Sequence, residues 1–372
     1  MRNRVPAGVA ALLVSLAVGF AGSVPAVAAT SHSGHHRGVR PGTHVAITRP
    51  GGSGHRGVRT VSTSSGPAVS PPQAAILPGI EVPLAGTPEG VAVDSSGIVA
   101  VSVRNPAAVV LFPINEPLIR HTVPLTGSGR HLSLAGPSGP LLVPEATGNA
   151  VAELSLPSGT SEATIPVGRG PQQAVALGTD TVVVADQQAG TLRIVRGGQV
   201  TGTIRSPGRP GDLAASPDGT HFVVVGSRSR TLTEYAADGS KVGSVRAGVN
   251  PTHVVAGNDG LFWVVDTGSG SVLGFQLGAK GPVRVATIPV GSVESRPYGL
   301  AFDPARDTLW VTLTGTNRLV SLKLSGLAVE SRTSQITVRQ PNSVAVVPGS
   351  GSVVVTGSTP QGQLQFFGVS AS

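Results

Sequence analysis

His131, Asp212 and His253 are the residues of this 372-residue chain whose types and spacing could do chemistry. Each stands two places after a Pro, or after Gly129 in its stead, where a short run of small apolar residues begins: "GRHLSLA", "PGDLAAS" and "PTHVVAG". Two imidazoles and a carboxylate make a donor set for a divalent metal, and equally an acid–base pair. In further runs the same place holds Gln173, Gly90, Gly299 and Ser343, and one residue earlier stand Glu89, Arg130, Gln172 and Tyr298. The ends of the apolar strands that follow add Arg104, Glu145, Asp186, Arg228 and Asp266. The binding candidates are therefore Glu89, His131, Glu145, Gln173, Asp186, Asp212, His253, Asp266 and Tyr298, with His131, Asp212 and His253 as the metal candidates. A plainer reading stays open: polar residues around a shared axis can serve only to satisfy backbone groups and water.

What would bring them together is a repeat. Short units end at Gly86, Gly127, Gly168, Gly208, Gly248 and Gly291, with a degenerate one at Gln340, so the spacings are 41, 41, 40, 40, 43 and 49 residues. After each marker come a Pro-containing loop, a small apolar run, a turn such as "PDG" or "NDG", and a β-branched strand such as "TVVVAD", "HFVVVG" or "LFWVVD". A polar loop, a third strand and the next marker strand complete the unit. β-branched runs bounded by turn pairs indicate strands, and four short strands in 40–45 residues is the pattern of a propeller blade.

The expected fold is all-β: a seven-bladed β-propeller of four-stranded antiparallel blades. The last repeat, from Pro341, has three strands, and the first marker strand, Ile80 to Leu84, precedes any blade of its own. Pairing that N-terminal strand into the last blade closes the ring and leaves no long edge unpaired. Asp218-Gly219 and Asp259-Gly260 suit turns that visit positive φ, and Trp263 and Trp310 occupy equivalent second-strand places that fill gaps between blades.

The unit P-x-x-V-A-x-(x)-D-G-x-x-V-V-V-x-(D/N), best seen at "PGDLAASPDGTHFVVVG" and "PTHVVAGNDGLFWVVD", resembles the YVTN and NHL class of seven-bladed propellers, especially exported bacterial proteins of the YncE-like kind. The resemblance spans roughly residues 75 to 372. It implies binding scaffolds, sensor ectodomains and a minority of enzymes. Among the enzymes are streptogramin-type lyases, which use a His base and a divalent metal near the channel mouth. No site matches theirs residue by residue, so no catalytic residue is carried over.

The N-terminus supplies the remaining expectations. Arg2 and Arg4, an apolar run to Gly22 and Ala26-Val27-Ala28 form a secretory signal peptide over residues 1–28, and no later segment is apolar enough to span a bilayer. Residues 29–73, rich in His, Arg, Gly, Ser and Pro, read as a disordered linker, and residues 74–372 as the propeller. The arginines of the linker suit contact with anionic envelope polymers. Residues 1–73 hold seven Arg and no acid, which leaves 20 basic against 19 acidic residues for the rest. A nearly neutral domain with two Tyr and two Trp argues against nucleic acid. The chain contains no Cys, and a domain of this size folds without disulfides.

The function expected is an exported, monomeric binding or scaffold module for a protein, peptide or glycan at the central funnel. It requires no cofactor, with a divalent metal allowed for. The alternative is a metal-assisted lyase or lactonase-like hydrolase with a His/carboxylate site at the channel mouth.

Overall fold

The computed structural model describes residues 66–74, 76–206 and 208–369. The expected signal peptide, residues 1–28, and residues 29–65 of the expected linker lie outside the described residues. Seven four-stranded antiparallel sheets follow one another along the chain. Their innermost strands are Thr87–Val93, Ser133–Leu134, Pro171–Leu177, Pro210–Ala215, Pro251–Ala256, Pro297–Asp303 and Pro341–Val346, in blades one to seven. The one helical element among the described residues is the 3-10 turn Val293–Ser295, and no described helix is long and apolar enough to cross a membrane.

The ring closes as the repeat count requires. Ile80–Pro83 pairs antiparallel with Gln363–Phe367, Ile80 opposite Phe366 and Pro83 opposite Gln363, as the fourth strand of blade seven. Val82 and Leu84 enter a cluster shared by blades one and seven with Val101, Val110, Val354 and Phe366. Each such side chain contributes about 1.5–3 kcal/mol when fully buried. The blades are thus joined by apolar seams. Trp263 of blade five is fully buried in the seam with Val311 and Val320 of blade six, as its place in the repeat predicts. Gly274 makes room for it, since a Cβ there would stand 2.8 Å from the indole.

The glycines that end the units have a specific partner. Gly168 N donates to Asp186 Oδ2 at 2.9 Å, Gly127 N to Glu145 Oε2 at 2.6 Å, and Val249 N, next to Gly248, to Asp266 Oδ2 at 2.9 Å. A Cβ at Gly168 would lie 2.1 Å from that carboxylate oxygen. Each acid ends a second strand and pins the loop that leads into the inner strand of its own blade.

Contact with the ring begins before residue 74, where the sequence places the domain boundary. Ser70 Oγ donates to Thr314 O at 2.6 Å, Gln340 N donates to Ser70 Oγ at 3.0 Å, and Asn317 Nδ2 donates to Pro71 O at 2.9 Å. Residues 66–73 therefore lie on blades six and seven, at the end where the chain enters the inner strands. Composition is silent on this because the partners are backbone carbonyls and amides, which Ser-Pro-rich sequence supplies as well as any other.

Candidate functional site: an axial funnel

The inner strands begin with a bulge. Register slips between Pro171 and Gln173, Pro210 and Asp212, Pro251 and His253, and Pro341 and Ser343. In blade two Gly129 bridges Glu145 in the place of the Pro. A bulge releases neighbouring residues from strict alternation and re-aims their side chains. Arg130 and His131, adjacent in sequence, accordingly both reach across to other blades.

The residues directly after the Pro positions form an upper layer. Glu89 bridges two arginines, with Oε1 at 2.9 Å from Arg130 NH1 and Oε2 at 3.0 Å from Arg104 NH2. Arg130 Nε and NH2 also donate to Gln172 Oε1 at 3.1 and 3.0 Å, so blades one, two and three are tied through one guanidinium. Tyr298 of blade six sets its ring edge-on to His253, with centroids 4.6 Å apart. Burial, then the Glu89 charge, pushes its phenol above the ordinary range and keeps the hydroxyl protonated.

The next layer holds the three metal candidates together. His253 Nδ1 lies 3.2 Å from Asp212 Oδ2, and His131 Nδ1 lies 3.7 Å from Asp212 Oδ1. The first is a hydrogen bond; the second is an electrostatic contact beyond hydrogen-bond length. Val254 N donates to Asp212 Oδ2 at 2.9 Å, and the imidazole centroids are 4.6 Å apart. Burial raises the Asp212 carboxyl, but the facing His131 and His253 rings outweigh it and hold the group well below the usual carboxylate range. Burial pushes His131 down, and the nearby His253 and Arg130 add to that against the pull of Asp212. At neutral pH the cluster is an ionised carboxylate facing a neutral His131 ring.

Beneath this layer lies a cavity of about 140 Å³. His131, Gln173, Asp212 and His253 line its polar part, and Leu132, Val254 and Leu300 its apolar part. The buried atoms His131 Nδ1, His253 Nε2 and Gln173 Oε1 have no hydrogen-bond partner. One donor atom from each of His131, Asp212 and His253 lies within 4.8 Å of the others. Two imidazoles and one carboxylate are the ligand types a zinc-like cation takes, and three protein ligands leave positions for substrate. The residues present therefore fit such an ion.

Of the sequence-derived candidates, Glu89, His131, Gln173, Asp212, His253 and Tyr298 meet at the axis. Glu145, Asp186 and Asp266 do not: they are 2%, 0% and 1% exposed and are spent on the loop amides described above. Asp186 also accepts from Arg193 Nε at 3.1 Å. Arg228 is not a strand end either, because Gly226 is the residue opposite Pro210. Sequence reasoning left out of its candidate set Arg130 and Gln172, which hold the upper layer, and Asn342, which lines the cavity. Their place after the inter-blade Pro was the available signal.

No family model matches the chain, and no curated protein matches it either. Solved structures do. A streptogramin B lyase structure superposes with a TM-score of 0.66 at 13% identity, covering 77% of this chain and 96% of that one. Kuenenia stuttgartiensis hydrazine synthase gives 0.65 at 17% identity, covering 81% and 98%. A chain of the mitotic checkpoint complex gives 0.66 at 14% identity, covering 81% and 97%. Identities this low carry the architecture and nothing finer, and the proteins sharing it have unrelated roles. The chain is a seven-bladed β-propeller with polar residues from all seven blades gathered at an axial cavity.

Proposed function

We propose that this propeller is a binding module whose funnel takes part of a protein, peptide or glycan partner. The observation that carries this reading is the locked Glu89–Arg130–Gln172 network standing over the cavity. A rim already held in place presents hydrogen-bonding groups without ordering cost on binding. In this reading the chain is exported by residues 1–28, works as a monomer, and belongs with the YncE-like propellers its repeats resemble. Thermal-shift screening of peptides and oligosaccharides against the full chain tests it, because a ligand of the folded state raises the melting temperature. Hits should weaken in Arg130→Ala and in Tyr298→Ala. Hits indifferent to both would place the ligand elsewhere and end the reading.

One observation favours a second reading, a metal-assisted lyase or lactonase-like hydrolase: the His131–Asp212–His253 cluster with its unpartnered buried ring nitrogens. A bound divalent cation supplies polarisation of a carbonyl or a more acidic water. His131, Asp212 and His253 would hold the cation, and Asp212 fixes the His253 ring by its hydrogen bond. Metal analysis of the purified chain separates the two readings. Stoichiometric divalent metal that disappears in His131→Ala and His253→Ala overturns the first. A metal-free protein whose melting ignores chelator and added ions counts heavily against the second.

A further inference from the structure

The axial cavity has a chemistry that the binding reading leaves open, because hydrogen-bond acceptors line it. Asp212 and Gln173 are buried, 5% and 9% exposed. Asp212 Oδ2 is taken by Val254 N at 2.9 Å and His253 Nδ1 at 3.2 Å. Its Oδ1 faces His131 Nδ1 at 3.7 Å, beyond hydrogen-bond length. A carboxylate only accepts, so His253 Nδ1 is the donor of its bond, and in the neutral imidazole Nε2 is then an acceptor. That Nε2 is buried and has no partner, and Gln173 Oε1 is in the same position. Three acceptors, one of them charged, therefore border a single space: Asp212 Oδ1, Gln173 Oε1 and His253 Nε2.

No Lys or Arg is among the described residues that line this cavity. Arg130, above it, commits its nitrogens to Glu89 and Gln172. A buried carboxylate calls for a cation, and buried acceptors call for donors. Water brings two donors and no charge. A guanidinium is planar and carries five donors in a fixed fork, more than this site accepts. An ammonium brings one charge and three donors, a match to three acceptors of which one is ionised. The remaining walls include Val91, Leu132, Leu300 and Val344. They suit a run of methylenes, and they offer nothing to the amide that flanks the α-amino group of a peptide. The volume is about 140 Å³, and a cavity of about 150 Å³ holds a benzene-sized guest, which is room for the methylenes and nitrogen of one lysine side chain.

We propose that the funnel takes a lysine side chain of a partner protein or peptide, with its ammonium on Asp212, Gln173 and His253 and its stem along the apolar walls. The inference rests on the binding reading and names the group that is recognised. A lysine stem lies readily against apolar surface while its head seeks polar partners, and hydrogen bonds between an ammonium and a carboxylate are among the strong ones.

Calorimetric titration of the full chain with Nα-acetyl-lysine methylamide tests this, beside the norleucine, Nε-acetyl-lysine and arginine counterparts. The lysine probe should bind, and the other three should bind at least about tenfold more weakly, since each forfeits the charge, the donors or the fit at a buried site. Asp212→Asn keeps an acceptor for Val254 N and removes the charge. It should weaken the lysine probe at least about tenfold and leave it no better than norleucine. Gln173→Met should weaken the probe by about threefold to tenfold, and it carries the test should Asp212→Asn fail to fold. A lysine probe that does not bind, that binds as norleucine does, or that ignores both substitutions would overturn the proposal. So would binding that vanishes when the chain is stripped of divalent metal. Peptides whose binding depends on Arg130 but ignores acetylation of their lysines would sink this inference and leave the binding module standing. Peptides indifferent to Arg130 and Tyr298 would end the binding reading and this inference with it.

Discussion

Asp212 organises the axis by accepting from Val254 N while facing two imidazoles. Replacing it with Ala strands a buried amide and both rings at once, so Asp212→Ala should lose about 2–4 kcal/mol in urea unfolding. Glu234 presents the opposite case. Its side chain is 3% exposed, and the His221 ring lies beside it with Nε2 3.8 Å from Oε1. Burial raises its carboxyl, with His221 offsetting part of the shift. A raised acid favours the folded state only while protonated. The penalty is absent below the unfolded value of about 4.3 and grows as pH rises through the folded one. Glu234→Gln should therefore stabilise the protein by about 1 kcal/mol at pH 7 and leave it unchanged at pH 4. Melts at the two pH values check this.

At the scale of the strand and its loops, the unit-ending glycines separate what sequence shows from what it conceals. The recurrence of Gly168 and its equivalents was plain, and it located every blade. Its cause was not, because a carboxylate at a strand end reads the same whether it meets solvent or folds back onto a loop amide. That ambiguity put Glu145, Asp186 and Asp266 at the funnel when they are structural. The bulge was equally hidden: alternation assigns faces, and only the extra residue lets Arg130 and His131 both point inward. Direct substitution tests the account of the turn. Gly168→Ala should cost about 2–3 kcal/mol, because a Cβ there meets the Asp186 carboxylate at 2.1 Å. Gly178→Asn, at positive φ (67°) but with open space around it, should cost under about 1 kcal/mol. Chemical denaturation of both variants distinguishes steric crowding from backbone strain.

For the molecule as a whole, blade number, ring closure and the seams were legible, since each follows from period and apolar pattern. Closure can be probed at one position. Val82 is 4% exposed in the seam between blades one and seven, so Val82→Asp should destabilise by about 3 kcal/mol or more. Because each blade leans on its neighbours, that variant should also expose the Gln363–Phe367 edge and aggregate on warming, which light scattering during a melt would reveal. The residues that dock at positions 66–73 bear on how this protein can be handled. The chain reaches the ring beside the mouth, while Gln363–Phe367 runs away from it toward the far end. A fluorescent protein joined ahead of Gly66 would hang over the opening and crowd large visitors. The same cargo spliced behind Val369 would leave the doorway clear, so a sensor chip should grip this molecule by its tail.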